Sequence, residues 1–205
     1  MKSVLISIRP KWVEKIASGE KTIEVRKSRP KIETPFKCYI YCTKPSKKYQ
    51  TIFGCMVINT DELYRLPNGK IKHDWSGELM CYNDEYIRDN FLNCKVIGEF
   101  ICDRVYLIKN RGDSFVVANE EQSVMNEIAR QSCFDYYDMF AYLGNKNGYG
   151  WHISDLKIYD KPKELSEFKI GCKGCKERDT YHCKFYCYGE RPLTRSPQSW
   201  CYVEN

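Results

Sequence analysis

Residues 4–26 read Val4-Leu5-Ile6-Ser7-Ile8-Arg9-Pro10-Lys11-Trp12-Val13-Glu14-Lys15-Ile16-Ala17-Ser18-Gly19-Glu20-Lys21-Thr22-Ile23-Glu24-Val25-Arg26. Residues 4–8 form an apolar run of strand length, which predicts a buried strand. Pro10 suits the first turn of a helix, where its missing N–H is no loss. Trp12, Val13, Ile16 and Ala17 then recur at helical spacing. Gly19 is placed to end that helix in a left-handed conformation. Residues 22–27 alternate, with Ile23 and Val25 on one side and Thr22, Glu24 and Arg26 on the other, as expected of a strand.

Outward from this stretch the pattern stays rich in strands. Residues 38–43 and 51–58 read as two further strands. Residues 63–66 and 70–73 flank Pro67-Asn68-Gly69, a hairpin turn signal. Residues 74–94 are expected to be irregular, with one short strand or helical turn. Residues 95–108 carry the longest β pattern. Val124, Met125 and Ile128 mark the face of a second helix, and Ser132 is a candidate cap for a third, ending at Gly144. Residues 148–158 return to strand until Pro162 breaks the pattern, and Leu165 and Phe168 are expected to tuck back onto the core. Many short strands with a few helices predict an α+β fold, a small β-barrel with helical insertions, not a doubly wound sheet. From Gly171 the composition turns to Cys, Lys and Tyr, so the chain divides into a domain at 1–170 and a short Cys-rich tail at 171–205.

The net charge of +6 permits contact with phosphate without demanding it. No apolar run approaches the length of a signal peptide core or a membrane span, which predicts a soluble, cytoplasmic protein with no membrane partner. In that compartment the twelve cysteines stay reduced, and their spacing is read for metal before disulfides.

Lys21, Glu24 and Arg26 are the candidate working residues. Arg26 offers a planar fork of donors for phosphate or a base edge. Lys21 offers a point charge, or a nucleophile or base where desolvation lowers its pKa. Glu24 can pair with either cation, accept from an exocyclic amine or act as a general base. On charge pattern alone, surface ion pairs on a half-exposed strand are the favoured explanation.

The pattern Gly19-x-Lys21-x-x-Glu24-x-Arg26, after an apolar strand and short helix, resembles the ASCH domain of the PUA-like superfamily. Lys95-Val96-Ile97-Gly98-Glu99-Phe100 resembles the long central strand, and Trp151-His152-Ile153-Ser154-Asp155-Leu156 the closing strand of prophage-type members. The resemblance spans roughly the first 170 residues. It implies a PUA-like barrel with a cleft lined by the lysine, glutamate and arginine, binding RNA or a modified nucleotide or nucleobase. It also implies alternatives. Some members are amidohydrolases acting on acetylated cytidine, with a threonine where this chain has Glu24, and some are ribonucleases. In a hydrolase, Lys21 and Glu24 would be catalytic. A phage-encoded protein-interaction module, with a protein partner on the tail, is a third reading.

Arg9, Tyr41 and Trp151 join the candidate ligand-binding set, because single-stranded nucleic acid stacks on rings beside basic residues. Trp12 reads as part of the apolar helix face, and His152 alternates with Trp151. In the tail, Cys172-x-x-Cys175 and Cys183-x-x-x-Cys187 can present four thiolates to a structural zinc. The alternative is unliganded thiols. The remaining cysteines read as small buried hydrophobes. Trp200 is expected to dock back on the barrel.

Overall fold

The computed structural model describes residues 2–44, 49–52, 55–58, 64–65, 71–72, 79–80, 94–171 and 190–204. The strands are β1 (Lys2–Ile8), β2 (Ile23–Arg26), β3 (Phe36–Cys42), β4 (Tyr49–Ile52), β5 (Cys55–Ile58), β6 (Tyr64–Arg65), β7 (Ile71–Lys72), β8 (Leu79–Met80), β9 (Val96–Cys102), β10 (Val105–Asn110), β11 (Phe115–Val117), β12 (Gly148–His152), β13 (Ser154–Lys163), β14 (Lys169–Gly171), β15 (Glu190–Pro192) and β16 (Trp200–Glu204). The α-helices among the described residues are α1 (Pro10–Ala17), α2 (Gln122–Ser132) and α3 (Tyr136–Leu143).

A seven-stranded sheet has the order β13-β9-β3-β1-β16-β14-β15, and a four-stranded sheet the order β11-β10-β12-β2. β1 runs parallel to β3 and antiparallel to β16. The two sheets pack face to face over one core, where Val4, Ile6, Ile8, Ile40 and Phe100 of the larger sheet meet Trp151 of the smaller one. α1 closes this core with Val13 and Ile16. On the far side of the smaller sheet, α2 and α3 cover Ile23, Val25 and Ile108 with Met125, Ile128, Met139 and Leu143. On the far side of the larger sheet, Phe168, Leu193 and Val203 cover Leu5, Tyr39 and Tyr41. Both faces of β1 are therefore buried, and this is why its sequence is a continuous apolar run, not an alternating one. The α+β barrel with helical insertions is as the sequence predicts.

Two long β patterns each turn out to be two strands. Residues 95–108 break at Asp103-Arg104, and residues 148–158 break at Ile153, so that each pattern passes from one sheet to the other. The breaks lie side by side. His152 Nδ1 is 2.6 Å from Asp103 Oδ1, and the His152 amide donates to the Arg104 carbonyl at 2.9 Å. Strand-switching corners of this kind bend a packed pair of sheets without ending the hydrophobic pattern.

Other differences have local causes. Pro162 does not stop β13, which continues to Lys163. β13 lies at the sheet edge and its pairing with β9 shifts register between Ile158 and Lys163, where a missing N–H is tolerated. Ser132 is the last residue of α2, and Asp135 caps α3 by accepting from the Asp138 amide at 2.7 Å. β4 pairs antiparallel with β5, and β6 pairs antiparallel with β7, while Pro67-Asn68-Gly69 lies outside the described residues. Residues 74–94 contribute the short strand β8. Among the cysteines read as buried, Cys38, Cys42 and Cys102 are, whereas Cys94 is exposed.

Residues 190–204 add β15 and β16 to the main sheet. β16 lies between β1 and β14 and carries Trp200, whose ring sits 6.1 Å from that of Trp151. Trp200 Nε1 donates to Ser28 Oγ at 3.1 Å.

Candidate functional site

β2 is buried on both faces. Its register with β12 explains how. Trp151 stands directly opposite Glu24, and Tyr149 opposite Arg26. Residues directly opposite in an antiparallel pair share a face. Glu24 and Arg26 therefore point the way Trp151 does, between the two sheets, while Ile23 and Val25 face α2 and α3. The half-exposed strand of surface ion pairs is corrected here: Lys21, Glu24 and Arg26 are 1%, 6% and 7% exposed.

Lys21 reaches its place through backbone ties. Gly19, at φ +79°, turns the chain out of α1, a conformation that costs glycine little. The Lys21 amide then bonds back to the Lys15 carbonyl at 2.9 Å, and the Thr22 amide to the Gln131 carbonyl at 2.9 Å. The Lys21 ammonium donates to the Ser132 carbonyl at 2.6 Å and lies 3.3 Å from Glu24 Oε2. Two rings flank it, with the centroids of Trp12 and Phe134 each 5.1 Å away. Burial pulls this ammonium below its ordinary value, and the Glu24 carboxylate opposes the shift.

Arg26 completes the cluster. Its Nη2 is 2.9 Å from Glu24 Oε1 and donates to the Ser7 carbonyl at 2.6 Å; Nη1 reaches Ser199 Oγ at 3.5 Å. Two cations thus share one carboxylate between the sheets. Two donors remain buried without a hydrogen-bond partner among the described residues, Arg26 Nε and Trp151 Nε1. Tyr142, on α3, adjoins the cluster. Burial pushes its hydroxyl above the ordinary tyrosine value, while the charges of Arg26 and Arg9 pull it down.

Of the sequence candidates, the fold brings Lys21, Glu24 and Arg26 together, with Trp151 behind Glu24 in the core. Arg9 stands at the N-terminus of α1, exposed, and its charge reaches Tyr142. Tyr41 is buried on the opposite face of the larger sheet, beside Leu5 and Val96. Cys172, Cys175, Cys183 and Cys187 lie outside the described residues. Cys201 is half-buried in β16. Sequence reasoning missed Ser7, in β1, and Phe134, Tyr142 and Ser199, which come from elements far along the chain; the aromatic spacing from Phe134 to Tyr142 was the one visible trace of these. Trp12 was assigned to the apolar helix face, yet it also forms one wall against Lys21.

Residues 6–65 match the ASCH domain family model. No curated protein matches the chain significantly. The fold is similar to the crystal structure of ASCH from Zymomonas mobilis, with a TM-score of 0.50 and 15% identity over 99% of this chain and 88% of that one. A tyrosine-to-phenylalanine variant of that protein gives a TM-score of 0.50 at 16% identity, over 100% of this chain and 92% of that one. A serine-to-alanine variant gives 0.51 at 14% identity, over 99% and 89%. The matched family segment contains α1, β2 and the whole Lys21–Glu24–Arg26 cluster, and along nearly its whole length the chain is similar in fold to the ASCH protein of Zymomonas mobilis.

Proposed function

We propose that this protein binds RNA or a modified nucleotide at the Lys21–Glu24–Arg26 cluster. The ASCH domain and its PUA-like fold suit nucleic-acid binding in general, and the cluster supplies the chemistry. The carrying observation is that Lys21 and Arg26 share the single carboxylate of Glu24 between the sheets, while Arg26 Nε and Trp151 Nε1 keep unmet donors. A buried unsatisfied donor costs about 1–3 kcal/mol, a cost that an acceptor on a ligand would remove. A base edge or a phosphate oxygen is such an acceptor. Trp12, Phe134 and Tyr142 add half-buried rings beside the cations, the combination that holds unstacked bases.

Hydrolysis has less support. A nucleophilic lysine needs a free amine facing its substrate. Lys21 is 1% exposed and its Nζ is engaged by the Ser132 carbonyl and Glu24, an arrangement that fixes an ammonium in place.

The test is a titration of a labelled, mixed-sequence single-stranded RNA against the wild type, Arg26→Lys and Tyr142→Phe, at low and physiological salt. Binding that weakens with salt and drops in Arg26→Lys, which retains the charge but loses the fork, is the expected result. Arg26→Lys that stays folded by circular dichroism and binds like the wild type refutes the assignment. Turnover of acetylated cytidine by the wild type, absent in Lys21→Met, would instead favour the hydrolase.

A further inference from the structure

Three rings run in series beside the buried cluster. Trp12 and Phe134 have centroids 5.0 Å apart, and Phe134 and Tyr142 are 5.8 Å apart. They come from α1, the α2–α3 link and α3, and all three residues are half-buried. An exposed lysine stands at each end of the series. Lys11 Nζ is 4.7 Å from the Trp12 centroid, and Lys27 Nζ is 5.1 Å from the Tyr142 centroid. Arg9, exposed at the start of α1, adds its charge near Tyr142. Among the described residues none of these three cations pairs with a carboxylate, whereas Lys15, Lys37, Lys95 and Arg130 each do.

We propose that Arg9, Lys11 and Lys27 form a phosphate-binding rim around the ring series, so that the ligand is a phosphate-bearing strand of single-stranded RNA and not a free nucleoside. This rests on the reading of the Lys21–Glu24–Arg26 cluster as the base or nucleotide site. The physical argument is complementarity. Cations without carboxylate partners beside half-buried aromatic residues match a chain that alternates anionic phosphate with flat base. The lysines' present contacts with the rings are weak at an exposed site, so they yield readily to a phosphate. A neutral nucleoside would use the rings and the buried cluster and gain nothing from the rim.

The experiment compares three probes: a labelled mixed-sequence single-stranded RNA, cytidine 5′-monophosphate and cytidine. Each is titrated into the wild type, Lys11→Ala/Lys27→Ala and, as a charge-matched control on the β13 edge, Lys157→Ala/Lys161→Ala. All four lysines are exposed, so both variants are expected to fold, and circular dichroism checks this. The expected result is the order RNA, then nucleotide, then nucleoside. The salt slope for RNA should fall by about 1.4 in Lys11→Ala/Lys27→Ala, from roughly 0.7 per lost phosphate contact, with no such fall in the control. Equal binding of nucleoside and nucleotide, or equal loss in both double variants, overturns the rim while leaving the cluster as a base site. No binding of any probe overturns both.

Discussion

Lys21 Nζ stands 3.3 Å from Glu24 Oε2, and Glu24 uses its other oxygen to hold Arg26 at 2.9 Å, all three side chains being less than a tenth exposed. A carboxylate that neutralises two buried cations is harder to lose than either cation. Removing one partner of a buried pair leaves an uncompensated charge at about 3–5 kcal/mol. Glu24→Gln is therefore expected to cost at least that much. Lys21→Met should cost less, because Glu24 keeps Arg26 and a thioether packs well between the Trp12 and Phe134 rings. Urea midpoints of the two variants check this; a Glu24→Gln protein more stable than Lys21→Met would contradict it.

Gly98 of β9 lies directly against the backbone of β13, opposite Ile158. A Cβ added there would lie 2.5 Å from the Lys157 carbonyl oxygen and 3.2 Å from Ile158 Cα. Backbone atoms cannot swing aside as a side chain can, so the two strands must separate. Gly98→Ala is expected to destabilise by about 1–3 kcal/mol, the ordinary cost of overpacking. Thermal melts measure it, and an unchanged midpoint would show that the sheet adapts.

β16 is an inner strand of the larger sheet, paired with β1 from Lys2↔Glu204 to Ile6↔Trp200. A chain ending at residue 189 loses this strand and the buried side chains of Leu193 and Val203, each worth about 1.5–3 kcal/mol of burial. It also leaves the β1 edge unpaired. The truncated chain is expected to melt far below the full chain or not to fold cooperatively; a melting temperature equal to that of the full chain would mean the strand is dispensable.

Glu99 carries a pH signature. Burial raises its carboxyl, but the Tyr159 hydroxyl, donating at 2.6 Å, and Lys37, at 3.0 Å, outweigh it and hold the group below its ordinary value. A carboxylate lowered in the folded state stabilises the fold above its unfolded value of about 4.3, and that contribution is lost as the pH falls through the folded value. The gap in urea midpoint between wild type and Glu99→Gln is thus expected to be wide near neutrality and to close as acid protonates Glu99. A gap independent of pH would rule this out.

Much of the architecture was legible from local pattern. The apolar run of β1, the proline start and glycine exit of α1, and the helical face at Met125 and Ile128 are set by sterics and periodicity within a few residues. The Gly19-x-Lys21-x-x-Glu24-x-Arg26 pattern marked the charged cluster through its resemblance to the ASCH domain; its charge pattern alone favoured surface ion pairs. Alternation along β2 told which residues share a face, because strand period is a local property.

Which face points inward was not local. Alternation is the same whether Glu24 and Arg26 meet water or the Ser7 carbonyl; only pairing with β12 and packing against β1 turn them between the sheets. The sheet-switching corners at Asp103 and Ile153 were invisible because a buried strand reads alike in either sheet. Phe134, Tyr142 and Ser199 reach the cluster from more than a hundred residues away. By itself the sequence determined the strand-rich elements and the charged motif, since those follow from residue type and spacing. Tertiary structure alone decided that the motif is buried, ringed by aromatics and paired through one carboxylate, since burial and ion pairing depend on neighbours that only the folded chain brings within a few ångströms.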